Sequence, residues 1–257
     1  MLFIIFFLLS LTAFSPFTAY GETLQPFEPN DPYFFYNATD SELKYYPGEW
    51  YLENKAPKDW DTKKNAGYDT NVRSAWNMGY TGKGVVIGII DDGVEGTHPD
   101  IKDNFSKALS RKFLGGEILD YTGPIYTADN HGTSVAGVAA ARGGNGIGGT
   151  GAAPYATIAD LRLLDDKAIT SDNINAYLWQ SGLVVKNGKL VATGKPAIQI
   201  KNHSYGKAYP WKRDDESMVT AINKTAENGV IHVWAAGNER GKIDEDASRN
   251  QTHANSN

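Results

Sequence analysis

A chain of 257 residues with 41% hydrophobic content is enough for one sizeable α/β domain and too short for two large ones. Its formal net charge of −5 and pI near 5.6 give no electrostatic footprint for nucleic acid or an anionic membrane surface. The absence of cysteine excludes disulfides, a thiol nucleophile and thiolate metal sites, so packing or bound ions must hold the fold.

In chain order, residues 1–21 begin with the almost wholly apolar run Met1–Phe17, followed by Thr18-Ala19-Tyr20-Gly21. This reads as a secretory signal peptide, since the run is short for a spanning helix and has no basic flanks. Export is expected, and membrane anchoring is the second choice. Sequons at Asn37, Asn104, Asn202, Asn223 and Asn250 leave glycosylation open. Residues 22–69 are rich in Pro, Asn, Asp and aromatics (Phe34, Phe35, Trp50, Tyr51, Trp60) without helical periodicity, which predicts an extended arm lying on a domain. A main domain then covers 70–257, entered through a short helix that carries Val72, Ala75 and Trp76 and is capped by Thr70 or Asn71.

The stretch Gly84–Ile101 organises the rest. Val85, Val86, Ile87, Ile89 and Ile90 do not alternate with polar residues, as expected of a strand buried on both faces of a parallel sheet. Asp91 and Asp92 stand at its carboxyl end, where open α/β sheets collect ligands and chemistry. An Asp-Asp-Gly turn would also explain these residues, because Asp and Gly commonly end strands. Farther along, His131 opens the helix-like segment His131–Gly143. Ala156–Leu164, Ala197–Ser204 and Val230–Ala235 read as strands, and Asp172–Val185 and Asp214–Asn228 as helices, the second ended by Gly229. Repeated βαβ units predict an α/β fold with a mostly parallel sheet and helices on both faces. Asn187-Gly188, between two short apolar runs, predicts a surface hairpin.

D-D-G at 91–93 followed by H-G-T-S-V-A-G at 131–137 resembles the subtilisin-like serine proteases, specifically the kexin and furin branch. The resemblance runs through N-D-P at 30–32, W-Y-L at 50–52 and 71–84 to W-A-A-G-N at 234–238. It implies a subtilisin-like three-layer sandwich and a serine endopeptidase acting on polypeptide bound in extended conformation. Asp91 would orient the base and His131 would be that base. Asn238 would donate to the oxyanion. Ser204, Tyr205 and Gly206 would pair with the substrate backbone, and Asp92 would face a basic substrate residue. The acids that kexin-type enzymes carry directly after S-W-G do not align, because this chain reads K-A-Y-P-W-K-R before Asp214-Asp215.

The loop G-G-N-G-I-G-G-T-G at 143–151 lacks the Lys-[Ser/Thr] of a phosphate loop. The resemblance implies instead a Ca²⁺ site built from Asp31, Asp100, Asn145 and the carbonyls of Arg142, Ile147 and Gly149, a hard-oxygen set of the kind calcium takes. A second ion near Asp244 is a weaker expectation. The family's nucleophile motif, G-T-S-x-A-x-P, does not follow Asn238 within the 257 residues. The serine is therefore expected beyond them, the domain is expected to be incomplete at its C-terminus, and the polypeptide alone is expected to be poorly stable. Two other readings compete. One is an inactive peptide-binding protein of the same fold; the other is a metal phosphohydrolase, supported only by D-D-G.

Overall fold

The computed structural model describes residues 24–34, 48–55, 67–206 and 216–235. Phe35, Trp60, Asp214, Asp215, Asn238 and Asp244 lie outside them. In chain order the elements are α1 (Val72–Asn77), β1 (Val86–Asp91), β2 (Arg111–Leu114), β3 (Glu117–Asp120), α2 (His131–Ala140), β4 (Thr157–Arg162), α3 (Thr170–Leu178), β5 (Leu183–Lys186), β6 (Lys189–Ala192), β7 (Ile200–His203), α4 (Glu216–Glu227) and β8 (Ile231–Trp234). Six strands form one sheet in the order β3-β2-β4-β1-β7-β8, and every neighbouring pair is parallel except β2–β3.

The unalternating apolar run becomes β1 near the middle of this sheet, and every residue after Val86 is buried. Ile87 and Ile89 pack with Ala136 and Ala140 of α2 on one face. Ile90 packs on the other face with Ala176 and Tyr177 of α3 and with Met218, Ala221 and Ile222 of α4. The architecture is therefore a three-layer α/β fold. Each fully buried isoleucine of β1 contributes about 1.5–3 kcal/mol of transfer free energy.

Two elements depart from the sequence reading. α3 ends at Leu178 rather than continuing to Val185, because Gln180 and Gly182 turn left-handed (φ 54° and 74°) and release the chain into the β5–β6 hairpin. The helix end is closed by Lys201 on β7, fully buried, whose Nζ donates to the carbonyls of Ala176, Tyr177 and Trp179. Its N–H groups satisfy carbonyls that a helix C-terminus leaves open, while burial pulls the amine well below the usual lysine range. The β2–β3 hairpin has no counterpart in the sequence reading. Its turn is Gly115-Gly116, both at positive φ, and β3 is exposed throughout. A glycine pair between two four-residue runs is a hairpin signal that could have located it.

The described parts of the arm pack across the domain. Phe27, Phe34, Leu52 and Trp76 form a separate apolar cluster, with Phe27 edge-on to Trp76 at 5.1 Å. The Tyr33 amide donates to the Gly148 carbonyl at 2.8 Å, bringing Asp31 onto the glycine loop. Among the described residues, no helix is long and apolar enough to cross a membrane. β1, β4 and β7 run parallel, so their carboxyl ends share one rim of the sheet, and the candidate site stands there.

Candidate active site

Asp91 ends β1 with its side chain fully buried, and His131 begins α2 with its ring 55% exposed. Nδ1 of His131 lies 2.8 Å and 3.0 Å from the two carboxylate oxygens of Asp91. Such an acceptor fixes the proton on Nδ1 and leaves Nε2 as the working nitrogen. Burial pushes the Asp91 carboxyl up, while the His131 hydrogen bond and the Asp92 amide, 2.8 Å away, pull it back. Asp91 in turn raises His131 above the usual imidazole range. An imidazole that becomes a better base as it is oriented is what proton abstraction from a weakly acidic hydroxyl requires.

Asp92 anchors the helix rather than standing free. Its carboxylate accepts the amides of His131 at 3.2 Å and of Gly132 at 2.7 Å, the service an N-cap side chain would give and which Asn130 does not provide. These bonds account for the second acid in D-D-G, and a role facing substrate would be additional to them. The glycine of H-G-T is equally local in cause. A Cβ on Gly132 would stand 2.6 Å from the Gly93 carbonyl and 2.9 Å from the Asp91 Cβ. Gly132→Ala is expected to push α2 away from β1, with a stability loss of about 1–3 kcal/mol read by denaturant unfolding. It should also lengthen the His131–Asp91 contact.

Ser204–Gly206 continue β7 past His203, where its ladder with β1 and β8 ends. β7 itself lies inside the sheet, so the continuation, and not an edge strand, is the part available to a peptide. Ser204 accepts a hydrogen bond from Asn202 Nδ2 at 2.8 Å. Tyr205 and Gly206 line a cavity of about 700 Å³ with Leu163–Asp166, Asn173 and Met218. The oxyanion candidate Asn238 lies outside the described residues; β8 leads toward it.

Asp31 and Asp100, which the resemblance implies as cation ligands, both bond the glycine loop. Asp31 accepts the amides of Gly144 at 2.8 Å and Asn145 at 3.1 Å. Asp100 accepts the Gly149 amide at 2.8 Å and Asn145 Nδ2 at 3.2 Å. Arg142 and Ile147 belong to the same knot, through the Arg142 amide on the Asp100 carbonyl and the Ile147 amide on Asn145 Oδ1. Glu49, absent from the sequence reading, adds a third acid by accepting the Thr150 amide at 2.9 Å. Burial, with Asp100 and Asp31 nearby, pushes Glu49 up to about 7. Asp31, Asp100 and Glu49 are all buried, and among the described residues none of them has an ion-pair partner. Buried carboxylates without a counter-charge are costly, and an oxygen-preferring cation would relieve them.

The sequence pattern of the subtilase family matches residues 82–257. The chain belongs to that family. Within it, the chain falls in the kexin and furin branch: it is 34% identical over 200 residues to neuroendocrine convertase 2 of Homo sapiens, covering 74% of this chain. It is 35% identical over 225 residues to the Drosophila melanogaster protein of the same name, covering 82% of this chain. The chain spans only 28% and 29% of the length of these relatives. Among solved structures, a protease of Pseudoalteromonas arctica superposes with a TM-score of 0.59 at 26% identity, over 82% of this chain and 60% of that one. The serine protease of Aeromonas sobria gives 0.52 at 29% identity, over 67% and 28%.

In this subtilase, two charged residues that sequence reasoning passed over lie beside the dyad. β4 registers Asp160 against Ile89 and Arg162 against Asp91, which puts both on the α2 face of the sheet. Arg162, 2% exposed, bonds Asp129 at 3.0 Å and Asp165 at 3.5 Å. Asp129 also accepts the Ile125 and Tyr126 amides, so the loop entering His131 is tied to β4. Asp160 is fully buried, and neither carboxyl oxygen has a hydrogen-bond partner of good geometry. Burial pushes Asp160 up to about 8, offset only in part by the Val94 amide and Arg162.

Proposed function

We propose that the protein is a secreted serine endopeptidase whose base is His131. The observation that carries this is the fully buried Asp91 carboxylate bonded to Nδ1 of a half-exposed His131, at the carboxyl end of a central parallel strand. The nucleophile is a serine hydroxyl. Nε2 takes its proton as the hydroxyl attacks a peptide carbonyl, and Asp91 holds the tautomer and stabilises the imidazolium that forms. The same Nε2 then returns the proton to the leaving amine. Asn238 donates to the developing oxyanion. The polypeptide lies extended along Ser204–Gly206, which continue β7 beyond its ladder. Hydrolysis of an internally quenched peptide that is blocked by a serine-directed fluorophosphonate and absent in His131→Ala tests this. Hydrolysis that survives His131→Ala overturns it.

The same reading includes calcium at the glycine loop, held by Asp31, Asp100, Asn145 and the carbonyls of Arg142, Ile147 and Gly149. Asp31, Asp100 and Asn145 would hold the ion, which would supply positive charge to the buried acids at the loop, and no proton-transfer step passes through it. Chelation is expected to lower the melting temperature. Restoring calcium to 100 times its dissociation constant should return about 2.7 kcal/mol of stability, read by differential scanning calorimetry. A melting temperature indifferent to both treatments contradicts the site.

A further inference from the structure

Glu49 belongs to the arm, 101 residues before Thr150 in sequence, and its side chain reaches the glycine loop. Its place is fixed from both ends. The Glu49 carbonyl accepts the amides of Leu52 at 2.9 Å and Glu53 at 3.2 Å, and Leu52 is buried in the apolar cluster that packs the arm on the domain. Its carboxylate accepts the Thr150 amide on Oε2 at 2.9 Å and the Tyr51 hydroxyl on Oε1 at 3.2 Å. A Cβ on Gly149 would collide with Oε1, so the carboxylate lies directly against the loop backbone.

A trans peptide is planar and sends an N–H and the preceding C=O in opposite directions, so holding one end sets the other. Among the described residues every peptide bond is trans. The unit joining Gly148 to Gly149 uses both its ends, with the Gly149 amide on Asp100 at 2.8 Å and the Gly148 carbonyl on the Tyr33 amide at 2.8 Å. In the next unit the Thr150 amide is on Glu49, whereas the carbonyl of buried Gly149 receives no hydrogen bond among the described residues. The carbonyls of Arg142 and Ile147 receive none either. A buried carbonyl without a donor is rare and calls for a partner of another kind.

We propose that Glu49 is a positioning residue for the cation site. By gripping the Thr150 amide it keeps the Gly149 carbonyl turned away from the arm and available to the ion. Glu49 works from outside the ligand set, because among the described residues no three acids converge closely enough to hold one metal together. Its contribution is reach rather than charge. The inference rests on the calcium reading above.

Two substitutions separate reach from charge. Glu49→Gln removes the charge but keeps an oxygen for the Thr150 amide, and its NH₂ can donate to the Tyr51 hydroxyl oxygen. Glu49→Asp keeps the charge but is one methylene shorter and draws back from the amide. Calorimetric titration of the full chain with calcium chloride is expected to leave Glu49→Gln within about threefold of the parent. Glu49→Asp should bind at least about tenfold more weakly, the loss typical of partners that orient metal ligands. Weakening of Glu49→Gln to the level of Glu49→Asp or beyond overturns the proposal, as does an unchanged Glu49→Asp.

Hydrogen exchange at the Thr150 amide, followed without calcium, reads the grip itself. It is expected to be equally slow in the parent and Glu49→Gln, and about tenfold faster in Glu49→Asp as local opening becomes easier. Exchange unchanged in Glu49→Asp overturns the role of Glu49 whatever the titration shows. A parent that takes up no calcium, with exchange in the expected order, overturns the calcium reading instead.

Discussion

Asp91→Asn is expected to lower turnover by about four orders of magnitude while leaving the fold in place, as loss of the orienting carboxylate does in Ser–His–Asp hydrolases. The amide keeps the shape of the carboxyl group but reverses one hydrogen bond. Its NH₂ favours the proton on Nε2, the nitrogen that must be free to accept. The pH profile should move as well. Asp91 raises His131, so kcat/KM in the parent rises with pH through a value above the usual imidazole one. Removing the anion lowers that value, and the acid limb should shift toward lower pH as the plateau falls. A variant with unchanged limb and plateau would remove Asp91 from the mechanism.

Asp160→Asn is expected to stabilise the protein at neutral pH. The carboxyl is fully buried, with its folded value raised from 3.8 to about 8. The folded state therefore holds a proton that the unfolded chain releases above about 4. Stability is lost as pH rises from there and levels off once the folded group itself ionises near 8. At pH 7 the cost is on the order of 4 kcal/mol, from 1.36 kcal/mol per unit. Asparagine keeps the volume and removes the ionisation. Because its amide is also short of partners, the expected gain is about 2–4 kcal/mol at pH 7 and near zero at pH 4. Urea unfolding at the two pH values reads it. Destabilisation at pH 7 would mean that Asp160 is ionised and pairs with Arg162, whose Nε otherwise has no partner.

Much of this site was legible because its causes are local. An unbroken β-branched run ending in D-D-G marks a central strand and its carboxyl end, and H-G-T marks a helix that must approach that end closely. The structure supplies the reason in the 2.6 Å that separates a Gly132 Cβ from the Gly93 carbonyl. Asp31 and Asp100 were reached only through the family resemblance, since they lie 69 residues apart in sequence. Glu49 was not, since nothing within W-Y-L and its neighbours shows that the Thr150 amide, 101 residues away, will meet it. Asp160, Arg162, Lys201 and His203 were hidden for a different reason. Charged and polar residues inside a strand read as solvent-facing, whereas their burial here depends on which helix covers each face. The end of α3 was misplaced because Gln180 adopts a left-handed conformation that glutamine rarely takes, so no residue type announced it.

The central claim is that Asp91 and His131 serve a nucleophilic serine. Intact mass of the protein from its natural source, before and after a serine-directed fluorophosphonate, tests it most directly. The account predicts that the protein gains one phosphonyl group, on a single serine, and that Asp91→Asn or His131→Ala abolishes the labelling. A protein that gains none, or whose labelling survives both substitutions, contradicts it.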